Sequence, residues 1–219
     1  MLKLPRSNSN YSEWQTVEHT LSYLSREDKL PHRTEGERVL LEQIPQNAHR
    51  FLDLGTGDGR TLALAMLNRP TSEGVAIDFS ETMLEQAGKR FQKDSRVKII
   101  KHDFSLPLPS AELGKFDAVV SSLAIHHLTH KRKKQLYEEI FGLLNSGGVF
   151  CNLEHICSPT QAIHLKFLAQ IGQTPETEDP SNKLLTFETQ LQWLKQIGFT
   201  DVDCYWKWLE IALLIGFKN

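Results

Sequence analysis

Phe51-Leu-Asp-Leu-Gly-Thr-Gly-Asp-Gly-Arg60 decides how the rest of the chain is read. A short, mostly apolar run carries Asp53 into a turn where Gly55, Gly57 and Gly59 alternate with other residues. A helix-compatible run, Thr61-Leu-Ala-Leu-Ala-Met-Leu67, follows. The order is strand, tight turn, helix start. Glycine lets the main chain come close to a ligand because no Cβ intervenes. The first turn of a helix adds unpaired N–H groups. In open α/β sheets, ligands of the nucleotide type bind at such a turn, at the carboxyl end of a strand.

Outward from that turn the chain alternates. Strands are predicted at Arg50–Leu54, Gly74–Asp78, Val97–Lys101, Phe116–Ser121 and Gly148–Leu153, with helices over Asp58–Asn68, Glu81–Phe91 and Thr129–Leu144 between them. Apolar, β-branched strands alternating with helices specify a parallel sheet covered on both faces, with right-handed crossovers. Beyond the fifth strand come a helical piece over Pro159–Ile171, an acidic loop over Thr174–Lys183, and a helix over Thr186–Ile197 stopped by Gly198. Two more strands, Thr200–Trp206 and Leu209–Phe217, are expected to join tightly at Lys207-Trp208.

Toward the N-terminus, Trp14, Val17, Leu21 and Leu24 fall at helical spacing. Leu30-Pro-His-Arg33 breaks that helix, and Thr34-Glu-Gly-Glu37 offers a capping box for the next. The expected organisation is a helical lid over residues 1–45 and a core over 46–219. Residues 155–185 form a helical and looped insertion over the site.

Composition narrows the partners. A chain of 219 residues with 40% hydrophobic and 24% charged residues is a long single domain, or a domain plus a small lid. Its formal net charge of −2 gives no global basic field, so nucleic acid is not an expected partner. Cys151, Cys157 and Cys204 are odd in number and lack metal-ligand spacing, which points to reduced thiols and a cytoplasmic protein. Neither an apolar signal core nor a run of membrane-spanning length is visible.

The glycine spacing separates two cofactor classes. The dinucleotide fingerprint is G-x-G-x-x-G, and here Arg60 stands where its third glycine belongs. The acid two residues before the turn has no purpose toward a phosphate. Asp53-x-Gly55-x-Gly57-x-Gly59 resembles the first motif of class I S-adenosylmethionine (SAM)-dependent methyltransferases. SAM carries a sulfonium, an ammonium and a ribose but no phosphate, so an acidic rim suits it better than NAD. The resemblance implies an α/β fold: a seven-stranded, mostly parallel, Rossmann-like sheet with helices on both faces. Its seventh strand runs antiparallel, in a hairpin that the two tail strands can supply.

The remaining site residues follow from that resemblance, each beside a plainer alternative. Asp78 closes Gly-Val-Ala-Ile-Asp and can accept both ribose hydroxyls, or it can cap the next helix. Asp103-Phe104 resembles the pair that meets the adenine, or Asp103 is a solvated loop acid. Ser122-Leu123 would pass beneath the methionine part of SAM. Thr56, Phe79 and Met83 complete the expected cofactor contacts, and Arg33 would close over the methionine carboxylate.

His126 and His127 are general-base candidates, since imidazole takes a proton near neutrality. Either can instead be a structural histidine bonded to backbone. Glu154-His155, with Trp14, would line the substrate pocket; the His-His and Glu-His spacings match no established metal site, and none is expected. Lys131-Arg-Lys-Lys134 opposes the dipole of the helix it opens and is expected to be a solvated helix start.

After the fourth strand stands Ser121-Ser-Leu-Ala124, not the Asn/Asp-Pro-Pro-Tyr/Phe of methylases acting on exocyclic amines. The tail from Glu188 to Lys218 resembles the carboxy-SAM synthase branch, whose members bind a carboxylated SAM. An arginine grips the extra carboxylate in that branch, and Lys183 occupies the corresponding segment here. The resemblance therefore implies methyl transfer from SAM to a small-molecule acceptor by a monomer or homodimer. A carboxy-SAM synthase-like enzyme, an NAD-dependent oxidoreductase and a non-catalytic SAM-binding protein remain alternatives.

Overall fold

The computed structural model describes residues 30–67 and 69–219. Trp14 and residues 1–29 of the expected lid lie outside the described residues. In chain order the elements are α1 (Arg33–Gln43), β1 (Arg50–Leu54), α2 (Arg60–Met66), β2 (Glu73–Asp78), α3 (Glu81–Phe91), β3 (Val97–Lys101), α4 (Ser110–Leu113) and β4 (Phe116–Ser122). A 3₁₀ turn (Ile125–His127) follows, then α5 (His130–Leu143), β5 (Leu144–His155), α6 (Gln161–Gln170), α7 (Phe187–Ile197), β6 (Thr200–Trp208) and β7 (Ile211–Lys218).

The strands form one seven-stranded sheet in the order β3-β2-β1-β4-β5-β7-β6. Pairings from β3 through β5 are parallel, and β7 runs antiparallel to both β5 and β6. The chain leaves β1 toward β2 and β3 on one side and returns to β4 and β5 on the other. A crevice therefore opens at the carboxyl ends of β1 and β4, where strand order reverses. Register keeps those ends level: Leu54 pairs with Ile77 and Ser121, and Ser121 pairs with Asn152.

Strand periodicity divides the core in two, because successive side chains point to opposite faces. Leu52, Leu54, Val119, Phe150 and Leu214 join one cluster with Leu136, Ile140 and Leu194 of α5 and α7. Phe51, Ala118, Val120, Cys151, Leu153 and Leu213 join the other with Leu40, Leu62 and Phe167 of α1, α2 and α6. Each fully buried large apolar side chain contributes about 1.5–3 kcal/mol, which explains why both sheet faces are covered.

Four expectations need correction. The capping box does not form: α1 starts at Arg33 behind a left-handed His32 (φ 62°) with no side-chain cap. Glu37 turns to Arg33 and Arg60 instead, since charge-assisted bonds to guanidinium outrank a bond to a backbone amide. The last hairpin turns at Leu209-Glu210, two residues later than expected, with Leu209 left-handed (φ 48°). β5 begins at Leu144, four residues ahead of its expected start at Gly148, and ends on Glu154-His155.

The fourth correction concerns the basic run opening α5. It is not simply a solvated start, because Arg132 and Lys133 are buried. Where the local signals were strong the ends fall as read. Thr129, Thr160 and Thr186 cap α5, α6 and α7, and Gly198 ends α7 in the left-handed conformation (φ 117°).

Candidate active site

The three glycines of the turn all have positive φ (69°, 56° and 85°), and each answers a different need. A Cβ on Gly55 would stand 2.1 Å from the Cβ of Ala124, and one on Gly59 would stand 2.4 Å from the Phe91 ring. Those two glycines let the turn pack against β4's exit and against α3. A Cβ on Gly57 would meet nothing closer than Met83 Sδ at 3.8 Å. Its open side faces a cleft whose empty space, open mouth included, is about 710 Å³.

That cleft collects most of the expected cofactor residues. Gly55, Thr56 and Gly57 line it from the turn, Asp78 and Phe79 from the end of β2, Met83 from the start of α3, and Asp103 and Phe104 from beyond β3. Ser122, Leu123 and His127 line it from the end of β4, and Arg33 from the start of α1. Arg60, Thr61 and Ala124 line it too. The sequence reading had named none of these three; Arg60 was noted only as a missing glycine.

Asp53 lies elsewhere. It is fully buried and does not line the cleft. One carboxylate oxygen accepts from Thr56 Oγ1 at 2.8 Å and from the Leu62 amide at 3.2 Å, pinning the turn between β1 and α2. The other oxygen has no partner. Burial pushes this carboxyl up to about 7 despite those two bonds.

Asp78 grips the turn from the cleft side. Its oxygens accept from the amides of Gly57 and Ser80, both at 2.9 Å, and burial raises its carboxyl above the ordinary range. Asp103 accepts from the Ser105 amide at 2.8 Å. At the other wall, buried Glu37 takes bonds from Arg33 Nε at 2.8 Å and from Arg60 at 2.8 and 2.9 Å. Burial works to raise this carboxyl, but Arg60 and then Arg33 outweigh it, and its pKa is lowered.

The tandem histidines part company. His127 lines the cleft, and its Nδ1 lies 2.7 Å from Ser181 Oγ. His126 is buried behind it, with Nδ1 3.1 Å from Glu154 Oε1. Glu154 Oε2 accepts from Asn152, which also donates to the Tyr137 hydroxyl; that hydroxyl donates to Gln190 at 2.6 Å. Asn152 and Glu154 share the sheet face of Phe150, so the network fills the gap between β5, α5 and α7. Burial lowers both imidazoles well below the ordinary histidine range and raises the Glu154 carboxyl. Both rings are therefore neutral at neutral pH.

Glu154 and His155 do not line the cleft. Glu154 supports His126, and His155 Nε2 lies 3.1 Å from Glu210 Oε2 at the β6–β7 turn. His164 of α6 lies 2.9 Å from the other Glu210 oxygen and 3.4 Å from Glu178. Glu210 thereby fastens the insertion to the sheet. Among the described residues, no such group is arranged to hold a metal ion.

The cleft fits SAM by its donors and acceptors. Acids stand at the strand ends where hydroxyls and an amine would lie. Open space stands at Gly57, and the buried Ser122 Oγ has no partner. No helix among the described residues is long and apolar enough to cross a membrane.

Residues 51–148 match the family described as "Methyltransferase domain". The carboxy-S-adenosyl-L-methionine synthase of Nautilia profundicola is 21% identical over 194 residues, 82% of this chain and 81% of that one. Among solved structures, an O-methyltransferase family protein from Burkholderia thailandensis superposes with a TM-score of 0.74 at 16% identity, over 96% of this chain and 63% of that one. Human N-acetylserotonin methyltransferase in complex with SAM gives 0.67 at 17% identity, over 99% and 60%. The chain thus spans about six tenths of the length of these two structures. The glycine turn, the reversed sheet order and the matched domain all liken the chain to class I, Rossmann-like SAM-dependent methyltransferases.

Proposed function

We propose that the chain transfers the sulfonium methyl of SAM to a small-molecule acceptor seated beside His127. The observation that carries this reading is one cleft lined by Gly57, Asp78 and His127 together. SAM supplies an electrophilic methyl when bound, and the protein's task is alignment. Holding the partners in line can supply much of the rate.

In this reading the Gly57 main chain and Asp78 seat the nucleoside, Asp103 and Phe104 bound its base, and Ser122 and Leu123 form the floor under its amino-acid part. Arg33, held by Glu37, faces the carboxylate. His127 takes the acceptor's proton, oriented by Ser181, while His126 supports it from behind. We assign closure of the cleft to residues 1–45, whose Arg33 lines it, and to residues 155–185, whose Ser181 orients His127. Free Cys151, Cys157 and Cys204 support a cytoplasmic setting, with the chain acting as a monomer or homodimer.

The test supplies tritiated-methyl SAM and a small-molecule extract. Wild type is expected to label a small molecule. His127→Gln is expected to lower the rate about 10²–10⁴-fold, the usual worth of a general base. Absence of label with wild type, or undiminished transfer by Asp78→Ala, would overturn the reading.

The similarity to carboxy-SAM synthase supports a second reading. Here Lys183 donates through Nζ to the carbonyls of His127 and Ser181, at 3.0 and 3.2 Å. A co-purified ligand heavier than SAM by one carboxyl group in mass spectrometry would favour that branch; SAM or S-adenosylhomocysteine would favour methyl transfer.

A further inference from the structure

We infer that Arg132 and Lys133, neighbours in the first turn of α5, are positioning residues that hold the cofactor half and the acceptor half of the cleft in register. The inference deepens the proposed methyl transfer and rests on it for the naming of the two halves.

Arg132 reaches toward the loop after β3. Its Nε donates to the Phe104 carbonyl at 2.9 Å, and one terminal nitrogen donates to the Leu106 carbonyl at 2.8 Å. Both terminal nitrogens meet the Glu139 carboxylate, at 2.6 and 2.8 Å. Glu139 in turn accepts from the Leu108 amide at 3.0 Å. Three alternate residues of one loop are thereby tied to α5, and Phe104 lines the cleft. Methionine would fill the space without desolvating a charge. A rigid guanidinium fork adds a fixed placement for each acceptor.

Lys133 reaches the opposite way. It is fully buried, and its Nζ donates to the Lys183 carbonyl at 2.8 Å. A buried ammonium is costly unless it is hydrogen-bonded and an opposite charge lies near; burial lowers the Lys133 pKa, and Glu154 works against that shift. Lys183 is the residue that holds the histidine turn: its amide donates to the His126 carbonyl at 2.9 Å, and its Nζ donates to the His127 carbonyl. Two residues earlier, Ser181 fixes the His127 ring. Lys133 thus acts on His127 through residues 181–183, and Arg132 acts on the nucleoside through residues 104–108. One helix turn carries both.

The experiment compares full-length wild type, Arg132→Met, Arg132→Lys and Lys133→Met. Backbone amide exchange is read without ligand, and S-adenosylhomocysteine affinity by calorimetry. Arg132→Met is expected to speed exchange at the Leu108 amide, leave the Lys183 amide unchanged, and weaken binding about 10-fold, as for loss of one charge-assisted hydrogen bond. Arg132→Lys is expected to fold and recover part of that affinity. Lys133→Met is expected to speed exchange at Lys183 while keeping affinity within about twofold, below the worth of one hydrogen bond.

Both variants loosening both loops alike, or neither loop responding, would overturn the inference. Failure of wild type to bind S-adenosylhomocysteine would overturn the cofactor reading alone, because the exchange pattern is measured without it.

Discussion

At the cofactor end of the cleft, contacts come from main-chain amides and single carboxylates on adjoining strands, such as the Gly57 amide on Asp78 at 2.9 Å. Around the tandem histidines, His127 is held by a serine fifty-four residues away, and its neighbour by a glutamate on the next strand. One end is shaped by backbone conformation, the other by side-chain partnerships that only the finished fold brings together. Glycine geometry tolerates almost no change, because the penalty is steric and immediate. A buried polar network fails in another way: removing one member strands the rest.

Four substitutions sharpen that contrast. The largest effect is expected from Glu154→Ala, which strips His126 and Asn152 of a partner and leaves Lys133 facing no carboxylate. Breaking a buried charge network typically costs about 3–5 kcal/mol. Denaturant unfolding should show that loss while S-adenosylhomocysteine still binds the residual folded protein. A drop in cofactor affinity as large as the drop in stability would erase the distinction between the two ends.

Next come the glycines. Gly55→Ala places a methyl 2.1 Å from Ala124 Cβ at a positive φ. Strain and overpacking together should cost about 2–4 kcal/mol. Gly57→Ala meets no such clash and should cost about 1 kcal/mol, yet it puts a methyl into the cleft. Thermal melts should therefore rank Gly55→Ala as the less stable variant, while calorimetry with S-adenosylhomocysteine shows binding lost in Gly57→Ala. Equal melts for the two would mean that the turn is not packed as described.

The last effect is a slope rather than a single loss. The Asp53 carboxyl is raised in the fold from 3.8 to about 7, so its stabilising contribution is fully present below 3.8 and is lost as pH rises toward 7. Asp53→Asn cannot ionise. Its melting temperature should change several degrees less than that of wild type between those two pH values. Parallel curves would place the titration elsewhere.

The same contrast explains what could be read without coordinates. The turn, Asp78 and the alternating strands are local patterns, and they fell where expected apart from a residue or two at most element ends and four at the start of β5. Asp53 was legible as part of the turn but not in its placement: the sequence shows an acid beside glycines, not that its oxygens are spent on Thr56 and Leu62. Lys133 and Arg132 looked like surface charge because a basic run carries no mark of which members turn inward. Ser181, Tyr137 and Gln190 carry no local mark of the partners they find. Their partners are 54, 53 and 53 residues away, and no period or spacing relates them. The capping box misled for a related reason, since the guanidinium of Arg60 competes for Glu37 from another helix.

Glu210 sits in the bend between the two tail strands, and β7 slots between β5 and β6 although it comes after both in the chain. On the ribosome, the glycine turn and its carboxylates can assemble long before this bend emerges. Helix α6 has no Glu210 anchor until it does. The residues of the turn are therefore in hand well before the clamp that ties α6 to the sheet, and the two cannot be completed in the reverse order.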